Sequence, residues 1–143
     1  VSVALIFTGT VLISTYFFKR KDLENNFSKA LLIGVFQSIA IIPGISRSGM
    51  TISIAMLLGL SPKKAAKFSF MLAIPAISGA GILTALDTTN GFLLPYPVLF
   101  GGLISSFLVG VLSLKILLKL LKDGKFHFFG VYCVLIGLIT LIL

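Results

Sequence analysis

Residues 30–60 read ALLIGVFQSIAIIPGISRSGMTISIAMLLGL. Two apolar pieces, Ala30 to Ile42 and Met50 to Leu60, flank a polar turn running from Pro43 to Gly49. Neither piece is long enough to cross a bilayer. At about 1.5 Å per residue the first reaches roughly 20 Å and the second less, against ~30 Å of hydrocarbon. The basic residues on either side choose the topology. Lys19, Arg20, Lys21 and Lys29 precede the stretch, and Lys63, Lys64 and Lys67 follow it. Basic loops stay on the cytoplasmic side, so a single crossing would leave one cluster on the wrong face. A re-entrant pair removes the conflict: the chain enters to mid-depth, turns at Pro43 to Arg47 and returns to the same side. Irregular backbone at that depth is tolerated only where it is buried in protein or lines a cavity.

The composition fits lipid as the surrounding solvent. Hydrophobic residues make up 57% of the chain and charged residues 11%, where a soluble domain carries roughly 25% charged. The charges are segregated, which leaves 1–18, 65–86, 98–118 and 128–143 as candidate spanning helices. The net charge of +8 would point to nucleic acid in a soluble protein. Here the lysines sit between apolar segments, so the positive-inside bias accounts for them and no nucleic-acid partner is expected. The expected architecture is an all-α integral membrane protein, a single domain over 1–143, with about four transmembrane helices and one re-entrant helical hairpin at 30–60. The hairpin and the basic loops, including Lys115 to His127, are rooted inside. Asp87 to Pro97 has no lysine or arginine and falls outside, with the C-terminus. Val1 is not an initiator methionine, and no charged n-region precedes the first apolar run, so an N-terminal part is expected to be missing. Ala76, Ala80 and Thr84, and Gly102, Ser106 and Gly110, are small residues spaced by four. Such stripes let helix backbones approach closely in lipid.

The turn carries the chemistry. Gly44 and Gly49 permit close backbone approach and unusual dihedrals. Ser46 or Ser48 can cap the helix that follows, and Thr51 lies near its start. A helix N-terminus presents free N–H groups and a positive dipole end, which suits an anion. Arg47 adds a permanent charge with a planar fork matched to phosphate oxygens. An arginine at mid-membrane costs about 2.5–3.5 kcal/mol on insertion scales and so needs a partner. The acids of the chain are Asp22, Glu24, Asp87 and Asp123, all in expected loops. The partner is therefore a ligand anion or a carboxylate from sequence outside this chain.

Other candidates read as structural. His127, the one histidine, stands between Phe126 and Phe128 at an expected membrane edge, where a general base has nothing to reach. Cys133, the one cysteine, lies in an apolar run and reads as a small packing residue. Phe68, Phe70 and Met71 face lipid or core. No cluster has metal-ligand spacing and no nucleotide-binding fingerprint occurs, so no cofactor is evident.

The nine residues Pro43 to Thr51 resemble the second signature of the undecaprenyl-pyrophosphate phosphatases, the bacitracin-resistance family. Gly34-Val35-Phe36-Gln37 and the run from Ala65 to Ala76 (AAKFSFMLAIPA) are similar to the same family, so the resemblance covers most of the chain. It implies hydrolysis of undecaprenyl diphosphate to undecaprenyl phosphate and phosphate, the recycling of a lipid carrier for peptidoglycan synthesis. It also implies residence in the bacterial inner membrane and one half of an inverted-repeat fold. By the same resemblance Arg47 and Ser46 are catalytic, and Gly44, Ser48, Gly49, Thr51 and Gln37 bind the substrate. A divalent cation accompanying the diphosphate is left open. The family's first repeat, with a Glu-rich helix and a Ser/His-bearing turn, has no counterpart here. The missing N-terminal half is thus an expected partner, and the chain is expected to be inactive alone. The alternative function is a transporter or flippase of an anionic lipid or solute, because broken helices aimed at an anion serve transporters too.

The re-entrant topology makes a direct prediction. Single cysteines at Asn25 and Lys63, in cells probed with a membrane-impermeant thiol reagent, should react from the same face. Reaction from opposite faces would mean that 30–60 crosses the bilayer.

Overall fold

The computed structural model describes residues 1–17, 22–87 and 95–142. The expectations for Lys19, Arg20 and Lys21 and for most of the loop after Asp87 lie outside the described residues. Six helices follow one another among those described: α1 (Ser2–Phe17), α2 (Phe27–Ile39), α3 (Arg47–Leu57), α4 (Pro62–Asp87), α5 (Tyr96–Lys122) and α6 (His127–Ile142).

The local signals explain most helix ends. Asn26 caps α2, its side chain accepting from the Lys29 N–H at 3.0 Å. Pro62 opens α4 and Pro97 lies in the first turn of α5, positions where the missing N–H costs nothing. Gly59 and Gly124 end α3 and α5 in the left-handed region, at φ of 92° and 74°. α4 and α5 run beyond the bounds read from the sequence, and Lys115, Lys119 and Lys122 lie on α5 rather than in a loop. Lysine is a good helix former, and its charge suits the last turn of a helix. α4 and α5 are long and apolar enough to cross a membrane. α1 and α6, of 16 residues each, reach about 24 Å.

The stretch at 30–60 folds as a helical hairpin, and its two roots meet. The Leu23 N–H donates to the Gly59 carbonyl at 3.0 Å, and Lys64 pairs with Asp22 at 3.1 Å. Hydrogen bonds from Ser61 and Lys64, with the lysine's charge, hold the Asp22 carboxyl below the usual carboxylate range. Its stabilising contribution is present above the unfolded carboxylate pKa and is lost as pH falls through the lowered folded value. Both partners are exposed, so the effect on stability is small.

α3 is the centre of the molecule. Every residue from Gly49 to Ala55 is buried, because α1, α2 and α4 all pack on this one short helix. Leu12, Ile33, Ile52, Ala55, Ala65 and Ala66 form the core around it, with Leu121 and Phe126 from the far end of the chain. A second contact runs the length of α1 and α6. A Cβ on Gly9 would lie 2.6 Å from the Gly130 carbonyl oxygen, and one on Gly130 would lie 2.7 Å from the Gly9 oxygen. The two backbones therefore touch, and Ser2 adds a hydrogen bond to the Thr140 carbonyl at 3.1 Å.

The small-residue stripes singled out in the sequence do not make this seam. Gly102 and Gly110 have nothing within 4 Å of an added Cβ. The second half of α4 and nearly all of α5 present large apolar side chains outward, such as Ile77, Leu103 and Phe107. Spacing alone cannot say which of several small-residue faces meets a partner. Gly9 of α1 and Gly130 and Gly137 of α6 make the seam instead.

Filling the α1–α6 seam should be costly. Gly130→Leu is expected to destabilise the detergent-solubilised chain by about 1–3 kcal/mol, the usual range for overpacking. Gly102→Leu should stay within about 0.5 kcal/mol of the parent. Denaturant unfolding followed by circular dichroism measures both, and equal effects would refute the seam.

Candidate functional site

The turn between α2 and α3 is built by a tightening of the last turn of α2. The N–H groups of Ala40, Ile41 and Ile42 reach back three residues, to the carbonyls of Gln37, Ser38 and Ile39, at 3.1–3.2 Å. Pro43 follows. Gly44 then takes φ of 99°, a conformation that costs an L residue with a side chain roughly 1–2 kcal/mol. A Cβ there would also lie 2.8 Å from the Val1 carbonyl oxygen, so the turn rests against the start of α1. Thr8 on α1 secures it further, its hydroxyl oxygen accepting from the Ser46 N–H at 3.4 Å.

Ser46 is the N-cap of α3, and its Oγ accepts from the Gly49 N–H at 3.1 Å. The Met50 N–H goes to the Ser46 carbonyl at 2.9 Å. That leaves the N–H groups of Arg47 and Ser48 without acceptors inside the helix, at its positive end. Gly49 is buried because Leu12 and Ser46 close on it, and an added Cβ would lie 2.9 Å from Ser46 Oγ and 3.1 Å from Leu12 Cδ1.

Arg47 and Gln37 face one cavity of about 270 Å³, lined also by Ser38, Ala40, Ile41 and Ala76. The two side chains come from opposite arms of the hairpin. Arg47 Nη2 and Gln37 Oε1 are buried and have no hydrogen-bond partner. A buried polar atom left unsatisfied costs about 1–3 kcal/mol, and more when charged. The cavity therefore holds one free cationic donor and one free amide. A half-turn of the Gln37 amide would exchange its acceptor for an NH₂ donor, which suits an anion. Among the described residues no acid and no histidine lines it. A larger cavity of about 400 Å³ lies between Ser61, Pro62, Lys63, Leu118, Leu121 and Lys122, but no orphaned polar atom faces it.

The residues singled out in the sequence do not all converge. Arg47 and Gln37 share one cavity, whereas Gly44, Ser46 and Ser48 belong to the adjoining turn and are not among the cavity's lining residues. Gly49 sits behind it as a packing position. Thr51 faces away: its hydroxyl is 2.6 Å from Ser69 Oγ on α4 and donates to the Arg47 carbonyl at 2.9 Å. His127 is held elsewhere, Nδ1 3.2 Å from the Gly124 oxygen and its ring between Tyr16 and Phe128. Cys133 is a free thiol on α6. Among the described residues no group of three or more His, Cys, Asp or Glu could hold a metal ion. Thr8, Ser69 and Ala76 belong to the neighbourhood and were not singled out for it. Their signal in the sequence was faint: Thr8 is one of several hydroxyl residues on α1, Ser69 one of several polar residues on α4, and Ala76 a small residue.

A family model described as bacitracin resistance protein BacA matches residues 1–139. Among curated relatives, an undecaprenyl-diphosphatase of Methanosphaera stadtmanae is 44% identical over 87% of this chain and 44% of its own length. One of Korarchaeum cryptofilum is 41% identical over 99% of this chain and 53% of its own length. One of Treponema denticola is 42% identical over 96% of this chain and 52% of its own length. The chain thus spans about half the length of the curated relatives it matches. No solved structure matches it.

Proposed function

The chain belongs to the bacitracin resistance protein BacA family, and on that footing we propose that it forms the diphosphate-holding part of an undecaprenyl-diphosphatase. The observation that carries this reading is the cavity where buried Arg47 Nη2 and Gln37 Oε1 stand together without partners. A diphosphate would supply the missing counter-charge. Its terminal oxygens would take the Arg47 fork and the free N–H groups of Arg47 and Ser48. Ser46 accepts from Gly49 through its lone pair, so its own proton remains to be donated to a phosphoryl oxygen. Gly44 shapes the turn, and Gln37 orients an oxygen or the attacking water.

In the reaction, water attacks the terminal phosphorus and the bridging P–O bond breaks. The products are undecaprenyl phosphate and inorganic phosphate. Such transfers depend mainly on positioning and on offsetting charge over the phosphoryl oxygens. Arg47 fits the second of these tasks. A divalent cation, where one takes part, would arrive on the diphosphate oxygens. The prenyl chain would lie along the apolar surface left by α4 and α5. In this reading α1, α4, α5 and α6 span the bacterial inner membrane, and α2 and α3 form a re-entrant hairpin of an inverted-repeat fold. The released monophosphate would re-enter peptidoglycan synthesis, which explains a link to bacitracin resistance.

Phosphate release from undecaprenyl diphosphate by the whole protein in detergent tests the assignment. Arg47→Ala should lower kcat/KM about 10²–10³-fold, by analogy with loss of an oxyanion donor. Arg47→Lys should recover little, since a point charge cannot reproduce the fork. Near-parental turnover in either variant would remove Arg47 from the chemistry.

A further inference from the structure

The hydroxyls of Thr51 on α3 and Ser69 on α4 lie 2.6 Å apart, and either could be the donor. They are 1% and 4% exposed, so water does not compete. Each hydroxyl carries one proton. Thr51 Oγ1 also lies 2.9 Å from the Arg47 carbonyl oxygen and 3.3 Å from that of Ser48. Carbonyls only accept, so the Thr51 proton belongs there, on the shorter contact to Arg47. The proton between the two hydroxyls must then come from Ser69. The reverse assignment would leave the Ser69 proton with no acceptor.

We infer that Ser69 is a positioning residue for Arg47, acting through Thr51. Ser69 donates to Thr51, Thr51 donates to the Arg47 carbonyl, and the relay fixes the first turn of α3 against α4. That turn carries the Arg47 side chain that lines the cavity. Ala76, which lines the same cavity, lies seven residues beyond Ser69, two turns along the same face of α4. The relay therefore sets the distance between the arginine and the opposite wall. The functional part of this inference rests on Arg47 being the anion ligand.

The test uses the whole purified protein with inorganic pyrophosphate as the probe. Calorimetry gives its affinity, hydrogen exchange reads the backbone of 46–52, and a thermal scan reads stability. Ser69→Ala should weaken pyrophosphate about tenfold, the worth of one net buried hydrogen bond, and should speed exchange over 46–52. Thr51→Val should lose the same, and the double variant no more than either, because both remove one chain of bonds. Thr51→Ser, which keeps the hydroxyl, should recover most of what Thr51→Val loses. A lower midpoint with unchanged affinity would reduce Ser69 to a packing role and overturn the inference, as would additive losses or unchanged exchange. If the parent binds no pyrophosphate while Ser69→Ala still speeds exchange, the relay stands and the anion reading of Arg47 fails.

Discussion

A guanidinium set among apolar helices needs a counter-charge, and none of the described residues lining its cavity supplies one. Arg47 Nη2 is buried without a partner, and the described ion pair of the chain, Asp22 with Lys64, sits at the root of the hairpin instead. A cation cannot shed its charge by deprotonation when it is an arginine. The protein therefore keeps an unsatisfied donor at the tip of α3, and the surrounding structure is organised to hold that tip still. Thr8 bonds the turn from α1, Ser46 caps it from within, and Thr51 and Ser69 tie it to α4. Three elements converge on eleven residues of helix. So short a helix would be marginal alone, and tertiary packing makes it persist.

The division of labour between the two halves of the molecule follows from this. α1, α2, α3, α6 and the start of α4 form the packed body, and in it glycines let the backbones of α1 and α6 meet. α5 and the end of α4 contribute long apolar surfaces with few neighbours. Such surface would be a liability in water, whereas in lipid it is ordinary. The rigid body holds polar groups in place, and the bare helices supply the solvent boundary. The chain's membership of the BacA family is consistent with this division, and the proposed substrate, a charged diphosphate joined to a long apolar chain, would meet both parts of it.

Much of this was legible before any coordinates. The half-length apolar pieces around Pro43 to Gly49 announced a hairpin, because length and basic flanks are one-dimensional properties. A cap at Ser46 or Ser48 and unusual dihedrals at Gly44 and Gly49 were also readable from local chemistry, and the structure selects Ser46 and Gly44. Pairing between distant elements was not. Gly102 and Gly110 lie on a four-residue stripe of α5 and meet nothing, whereas Gly9 of α1 and Gly130 and Gly137 of α6, which share no such stripe, meet another backbone. The lysines at the end of α5 read as a loop because charge was taken as a boundary, whereas helix propensity carried the helix through them. Thr51 was read toward the ligand because it belongs to the signature. Its hydroxyl instead turns to Ser69, a partner eighteen residues away that no local rule selects.

The central claim is physical contact between the Arg47 guanidinium and a phosphoryl group. The direct measurement is ¹⁵N–³¹P dipolar recoupling by solid-state NMR, with ¹⁵N-arginine protein in phosphorus-free glycolipid bilayers and a methylene-bridged polyprenyl diphosphonate. Arg20→Lys leaves Arg47 as the one arginine in this chain, so its guanidinium signal can be followed without overlap. Strong dephasing of the Arg47 guanidinium nitrogens by phosphorus, absent in a matched sample without the diphosphonate, is the expected result. Ligand retained in the sample with no dephasing of Arg47 would place the phosphoryl groups elsewhere and contradict the claim.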